Sequence, residues 1–266
     1  MKDLLLLVRD DIGQPARLRA ALDLATLLQA RITCLEVDES MATEDDLAPS
    51  TIEGRMLQDV MLHQATSNRS CVERMFREKG VECNWTTVKG KIADSLSDHA
   101  AFHDLTLVNT QPRTYSWRDG SFVVSDLVRT THQPVLLVPE EDGSSGFQGR
   151  AVVAWDGSPP CIAAMRAAVP LLSRAKTVSL IEVGEHHDGP TVQRAAAYLQ
   201  NHDVHLHVDT IPGRRPADWL LSRCRPEHTS FCVMGAFGRS RGREAVFGGT
   251  TLDMLEGARV PLFVAH

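Results

Sequence analysis

Short apolar runs alternate with longer segments whose apolar residues recur at helical spacing. The run "LLLLV" (4–8) leads into "ARLRAALDLATLLQA" (16–30), and that into "ITCLEVDE" (32–39). The run "AVVAW" (151–155) leads into "PCIAAMRAAVPLLSRA" (160–175) and then "VSLIEVGE" (178–185). The strand-length runs are largely unbroken, with little apolar–polar alternation. That pattern predicts strands buried on both faces, in a parallel sheet covered by helices on either side. Further strands are expected at "TLVNT" (106–110), "QPVLLVP" (133–139), "CVMGA" (232–236) and "VPLFVAH" (260–266).

The two halves repeat one order. Each begins with an apolar strand ending in acid, then an alanine- and leucine-rich helix, then a second strand ending in acid. Further on, "VKGKIADSL" (88–96) answers "IPGRRPADWL" (211–220). Asp10 and Asp156 stand 146 residues apart, but Asn109 and Gly235 only 126. The difference places an insertion in the first half after its second strand, at the acidic "DESMATEDDLAPS" (38–50) and a long helix from Ile52 to Lys79. Met56, Val60, Val72, Met75 and Phe76 recur along that helix as a core-packing stripe. Between the halves, "PEEDGSSGFQG" (139–149) reads as a linker. The expected organisation is 1–139, a linker at 140–149, and 150–266, each half an α/β domain with a doubly wound parallel sheet of five strands. Flavodoxin-like and Rossmann-like sheets are the orders in view.

The net charge of −6 offers no basic footprint for nucleic acid. The apolar start, Leu4 to Val8, is too short for a signal peptide or a membrane span, so a cytoplasmic protein is expected, with no membrane partner. Six cysteines at 34, 71, 83, 161, 224 and 232 form no C-x-x-C pair. The spacing predicts neither a disulfide framework nor a zinc site, and buried reduced thiols at Cys34 and Cys232. His205 and His207 would share a strand face, but with no third ligand they read as a solvated surface.

In an open parallel sheet, ligands sit beyond the carboxyl ends of strands where chain order reverses. That point would bring the loop Asp156-Gly157-Ser158 beside the loop beginning at Gly235. The second of these is "MGAFGRSRGREAVFGGTT" (234–251). Its glycines could be turn punctuation. They could equally let backbone N–H groups close on a phosphate. Thr250 is then the expected N-cap of the following helix, whose unpaired N–H donors favour an anion. Arg239, Arg241 and Arg243 add positive charge.

The spacing Gly235-x2-Gly238-x9-Gly248 resembles the nucleotide-binding signature of the universal stress protein family, G-x2-G-x9-G-[ST]. One departure is that Gly249 follows the third glycine and the hydroxyl arrives at Thr250. "AVVAWDGS" resembles the family's first strand and loop, and "VPLFVAH" its closing strand. The resemblance covers nearly the whole chain and implies a tandem universal stress protein. It implies ATP or another adenine nucleotide in the second half, with Asp156 at the base or ribose and Val183 meeting adenine through its backbone. Gly213 would flank the pocket, and Gly235, Gly238, Gly248, Gly249 and Thr250 would hold the phosphates. Mg2+ would accompany a triphosphate. The closing strands of the halves would pair, giving an internal pseudo-dimer, and a further homodimer or a downstream protein partner is compatible with it.

The first half departs from the pattern. Asn109 and Pro112 stand at the first two glycine positions, and the first loop is Asp10-Asp11-Ile12. Pro112 has no N–H for a phosphate, so this half is expected to bind nucleotide weakly or not at all. No residue stands out as a general base for water. The leading expectation is ATP bound as a regulatory ligand in a stress response. A slow ATPase or adenylyl-transferring enzyme is the alternative, and a protein-interaction scaffold that has lost nucleotide binding is a third.

Overall fold

The computed structural model describes residues 1–39, 52–110, 127–131, 133–140, 146–183, 190–211, 216–236 and 249–266. The first half runs β1 (Asp3–Val8), α1 (Gln14–Leu28), β2 (Arg31–Asp38), α2 (Ile52–Glu78), β3 (Cys83–Lys89), α3 (Ile92–Ala100), β4 (Leu105–Asn109) and β5 (Val135–Val138). Residues 127–131, ahead of β5, are helical. The second half runs β6 (Arg150–Trp155), α4 (Pro159–Leu172), β7 (Thr177–Val183), α5 (Val192–Gln200), β8 (Leu206–Ile211), α6 (Pro216–Arg223), β9 (Phe231–Gly235), α7 (Gly249–Gly257) and β10 (Leu262–Ala265).

All ten strands join one sheet in the order β3-β2-β1-β4-β5-β10-β9-β6-β7-β8. Each half therefore has the Rossmann-like order, reversing beside its first strand. Every pairing is parallel except the seam, where β5 and β10 run antiparallel with Phe263 opposite Leu136. The apolar closing strands thus cover each other's edge, as the internal pseudo-dimer requires, and neither is left as a template for a foreign strand.

The unbroken apolar runs bury both faces. Leu4, Leu6 and Val8 of β1 join one core layer with α1, α2, α4 and α5. Leu5 and Leu7 join the opposite layer with α3, α6 and α7. The inserted helix α2 spans 27 residues against 9 for its counterpart α5. Val72 and Phe76 of its stripe are buried, with Met75 packed beside them. Within the segment read as a linker, residues 146–149 are described. Phe147 is buried and lies 5.6 Å from the ring of Phe231, which fastens it to the second half.

Candidate functional site

The carboxyl edge of β6, β7 and β9 gathers the residues of interest. β6 pairs β9 with Val153 opposite Val233, and β7 with Trp155 opposite Glu182. Asp156 and Val183 each follow one residue later, and Gly235 closes β9. After β6, the Asp156 carboxylate accepts the Ser158 N–H at 2.9 Å, and Gly157 between them has φ +71°. That left-handed conformation favours glycine strongly over a residue with a Cβ. Ser158 then caps α4, its hydroxyl accepting from the Cys161 N–H at 3.4 Å. Losing that cap in Ser158→Ala should cost about 1 kcal/mol in urea unfolding.

Gly235 lies hard against the start of α4. A Cβ built there would sit 2.8 Å from both the Cys161 Cα and the Pro160 carbonyl carbon. So the strand end and the helix N-terminus meet backbone to backbone. Cys161 sits in the angle, with its thiol donating to the Ala154 carbonyl at 3.1 Å. Burial pushes that thiol up to about 12. Hydrogen bonding from the backbone of Asp156, Gly235 and Gly157 pulls the other way, while the Asp156 charge adds to the rise. The thiol is therefore protonated at neutral pH and is no nucleophile. The backbone of β9's end and the start of α4 thus converge on one spot.

The corresponding point of the first half is filled. Asp11 Oδ1 accepts the Gly13 N–H at 3.1 Å, as Asp156 does from Ser158. Asp11, rather than the Asp10 that the sequence alignment suggests, is the counterpart of Asp156. Gly13 and Ser158 are both N-cap residues, so Arg17 and Ile162 match, each bonding back to its cap. Arg17 is 1% exposed. Its guanidinium bonds both Asp11 oxygens, at 3.0 and 3.3 Å, the Leu7 carbonyl at 3.0 Å, the Arg9 carbonyl at 3.1 Å, and Asn109 Oδ1. Asn109 also donates to the Gly13 and Val138 carbonyls, and a Cβ on Gly13 would fall 2.6 Å from its Cγ. Where the second half has glycine, the first has an amide wedged under the helix. Burial lowers the Arg17 guanidinium from its ordinary value, while the charge and hydrogen bond of Asp11 support it. The Asp11 carboxylate is thus neutralised internally.

The structure places Asp156, Gly157, Ser158, Val183, Gly235, Gly249 and Thr250 within the described residues. It brings the first five to one sheet edge. Gly213, Gly238, Arg239 and Gly248 lie outside the described residues. Thr250 is corrected in one respect: α7 begins at Gly249, so Thr250 stands in the first turn and is not the N-cap. A Cβ added at Gly249 would face open space. His205 precedes β8 and shares no strand face with His207. His207 instead meets Ser179 at 2.8 Å and Asp209 at 3.5 Å on an exposed surface. No group of three or more His, Cys, Asp or Glu suited to a metal occurs among the described residues, and no helix there is long and apolar enough to cross a membrane. Two residues at this edge escaped the sequence reading. Cys161 lacked any motif. His266, whose Nδ1 donates to the Ala236 carbonyl at 3.1 Å, carried only the signal of following the last strand.

No protein-family profile matches the chain, and no curated protein sequence matches it. Solved structures do. A universal stress protein from Archaeoglobus fulgidus DSM 4304 superposes with a TM-score of 0.75, covering 99% of this chain and 95% of that one at 17% identity. A protein of unknown function from Pseudomonas aeruginosa PAO1 gives a TM-score of 0.59, covering 100% of this chain and 92% of that one at 14% identity. At such identities the likeness is one of fold. The chain has the universal stress protein fold along its whole length.

Proposed function

We propose that this chain is a tandem universal stress protein whose second half, 150–266, holds one ATP as a regulatory ligand. The first half, 1–139, serves as its structural partner. The observation that supports this reading is the contrast between the two switch points. One closes on Gly235 and a backbone-lined angle; the other is plugged by Asn109 and Arg17.

In this reading Asp156 receives the ribose or base, and the backbone of Val183 meets adenine. Gly213 flanks the pocket. Gly235, Gly238, Gly248 and Gly249 let N–H groups approach the phosphates. The start of α7, with Thr250 in its first turn, and Arg239 supply positive potential. Ser158 is buried as the cap of α4, so it shapes the loop more than it contacts ligand. Among the described residues no carboxylate cluster could cage Mg2+ by itself. Such an ion fits only as a companion of the phosphates, which is its usual mode. In this reading ATP is kept as a signal and not turned over.

Two measurements test it together. The purified protein is denatured and any released nucleotide identified, and stripped protein is titrated with ATP by calorimetry. One adenine nucleotide per chain is expected, with labelled ATP intact after a single-turnover incubation. No released nucleotide and no binding at millimolar ATP would leave the scaffold reading. Two sites per chain would contradict the plugged first half.

A further inference from the structure

We propose that Cys34 and Cys83 form a peroxide-sensing thiol pair on the outer strands of the first half, closing reversibly to a disulfide. The proposal is independent of nucleotide binding. Cys34 lies within β2, and Cys83 opens β3, the edge strand of the sheet. In the parallel register Cys83 stands opposite Ile32, two residues short of Cys34. Both side chains belong to the layer under α2, where Val72 and Phe76 pack and Met75, Cys83 and Trp85 border the core. Their sulfurs are 3.2 Å apart. A disulfide needs about 2.05 Å, so the sulfurs have roughly one ångström left to close, with the strand ends adjusting to the bond's dihedral.

Access separates this pair from the other cysteines. Cys34 is buried, but Cys83 is half-exposed at the sheet edge. Cys224 and Cys232 also interact with each other, yet both are buried where an oxidant does not reach. Cys161 is buried and protonated, and Cys71 is exposed on the helix α2, off the sheet. The environment also assigns the roles. The hydrogen bond shared with Cys34 lowers the Cys83 thiol from its ordinary value, and the charge of Arg69 supports this against burial and Glu73. Arg69 is held there by Glu73 at 2.8 Å and by the ring of Trp85, 5.3 Å from its guanidinium carbon. Cys34 is raised by the same hydrogen bond and by burial. Cys83, half-exposed on the edge strand, is the attacking sulfur, and the buried Cys34 the resolving one.

The chemistry balances with hydrogen peroxide as the oxidant. The Cys83 thiolate attacks one peroxide oxygen, the O–O bond breaks, and hydroxide leaves with a proton as water. The product is a Cys83 sulfenic acid. The Cys34 sulfur then attacks the Cys83 sulfur, giving up its proton, and the sulfenic hydroxyl leaves as a second water. Two thiols and one peroxide become one disulfide and two waters. A dithiol reductant reverses the change, as suits a disulfide in a reducing compartment.

The test treats the full-length protein with a few-fold excess of hydrogen peroxide, blocks remaining thiols, and maps peptides by mass. Loss of two of the six thiols is expected, with a Cys34–Cys83 linked peptide that disappears on dithiothreitol treatment. In Cys34→Ser the Cys83 sulfenic acid should persist and react with dimedone. A Cys71→Ser background removes cross-linking between chains through the exposed thiol. Wild-type protein that keeps both thiols, or that pairs either one with another cysteine, overturns the proposal without recourse to any variant.

Discussion

Replacing Arg17 with alanine is expected to lower the unfolding free energy by about 3–5 kcal/mol, the usual cost of breaking a buried ion pair from one side. The guanidinium is 2% exposed and its Asp11 partner 7% at the side chain. Its removal leaves a buried carboxylate uncompensated. It also strips the Leu7 and Arg9 carbonyls and the Asn109 amide oxygen of a donor. Denaturant unfolding measures the loss. A decrease below about 1 kcal/mol would mean that water or another group replaces the guanidinium, and that the plug is not structural. The double variant Arg17→Met with Asp11→Asn should recover part of the loss, since it removes both charges and keeps most of the volume. Nucleotide binding in the second half should be unaffected by either change, because the network lies wholly in the first.

Replacing Gly235 with valine is expected to abolish ATP binding and to destabilise the protein by at least about 1–3 kcal/mol. The added Cβ meets backbone, the Cys161 Cα and the Pro160 carbonyl carbon, and not the end of a side chain that could swing aside. Relief requires α4 to move away from β9, which would separate the Asp156 loop from the end of β9. Gly238→Val makes the informative contrast. Gly238 lies beyond the strand, so its variant should lose ATP affinity at least roughly tenfold, about 1.4 kcal/mol, with unfolding unchanged. Calorimetry and urea unfolding on both variants separate the cases. Unchanged ATP affinity in Gly235→Val, with the expected loss of stability, would place the nucleotide elsewhere.

Much of the architecture was readable along the chain, for a physical reason. Strands buried on both faces need unbroken apolar runs, and "LLLLV" and "AVVAW" carry that demand openly. The inserted helix was likewise visible, since its stripe of Val72, Met75 and Phe76 must recur at helical spacing to reach one core layer. Close backbone approach also marks the sequence, because only glycine permits it, and Gly235 at the end of β9 carries that mark. The glycine spacing then pointed to the family fold that the full-length superposition bears out.

The plugged switch point was not readable to the same degree. The substitution of Asn109 for glycine was plain, but no motif marked Arg17, and its burial depends on three segments meeting. Asp11, Asn109 and the carbonyls of Leu7 and Arg9 converge on it only after β1 and β4 pair and α1 docks. Asp11, one of two adjacent acids in the first loop, becomes part of a satisfied ion pair only through that convergence. Cys34 and Cys83 are alike in this respect: 49 residues apart, with no motif, they touch because β3 pairs with β2 in one particular register. Local demands such as burial periodicity and glycine conformation act on neighbouring residues and so leave a mark in the order of amino acids. Partnerships between distant polar groups are decided by which strands pair and where helices dock, and they exist only once the sheet is built.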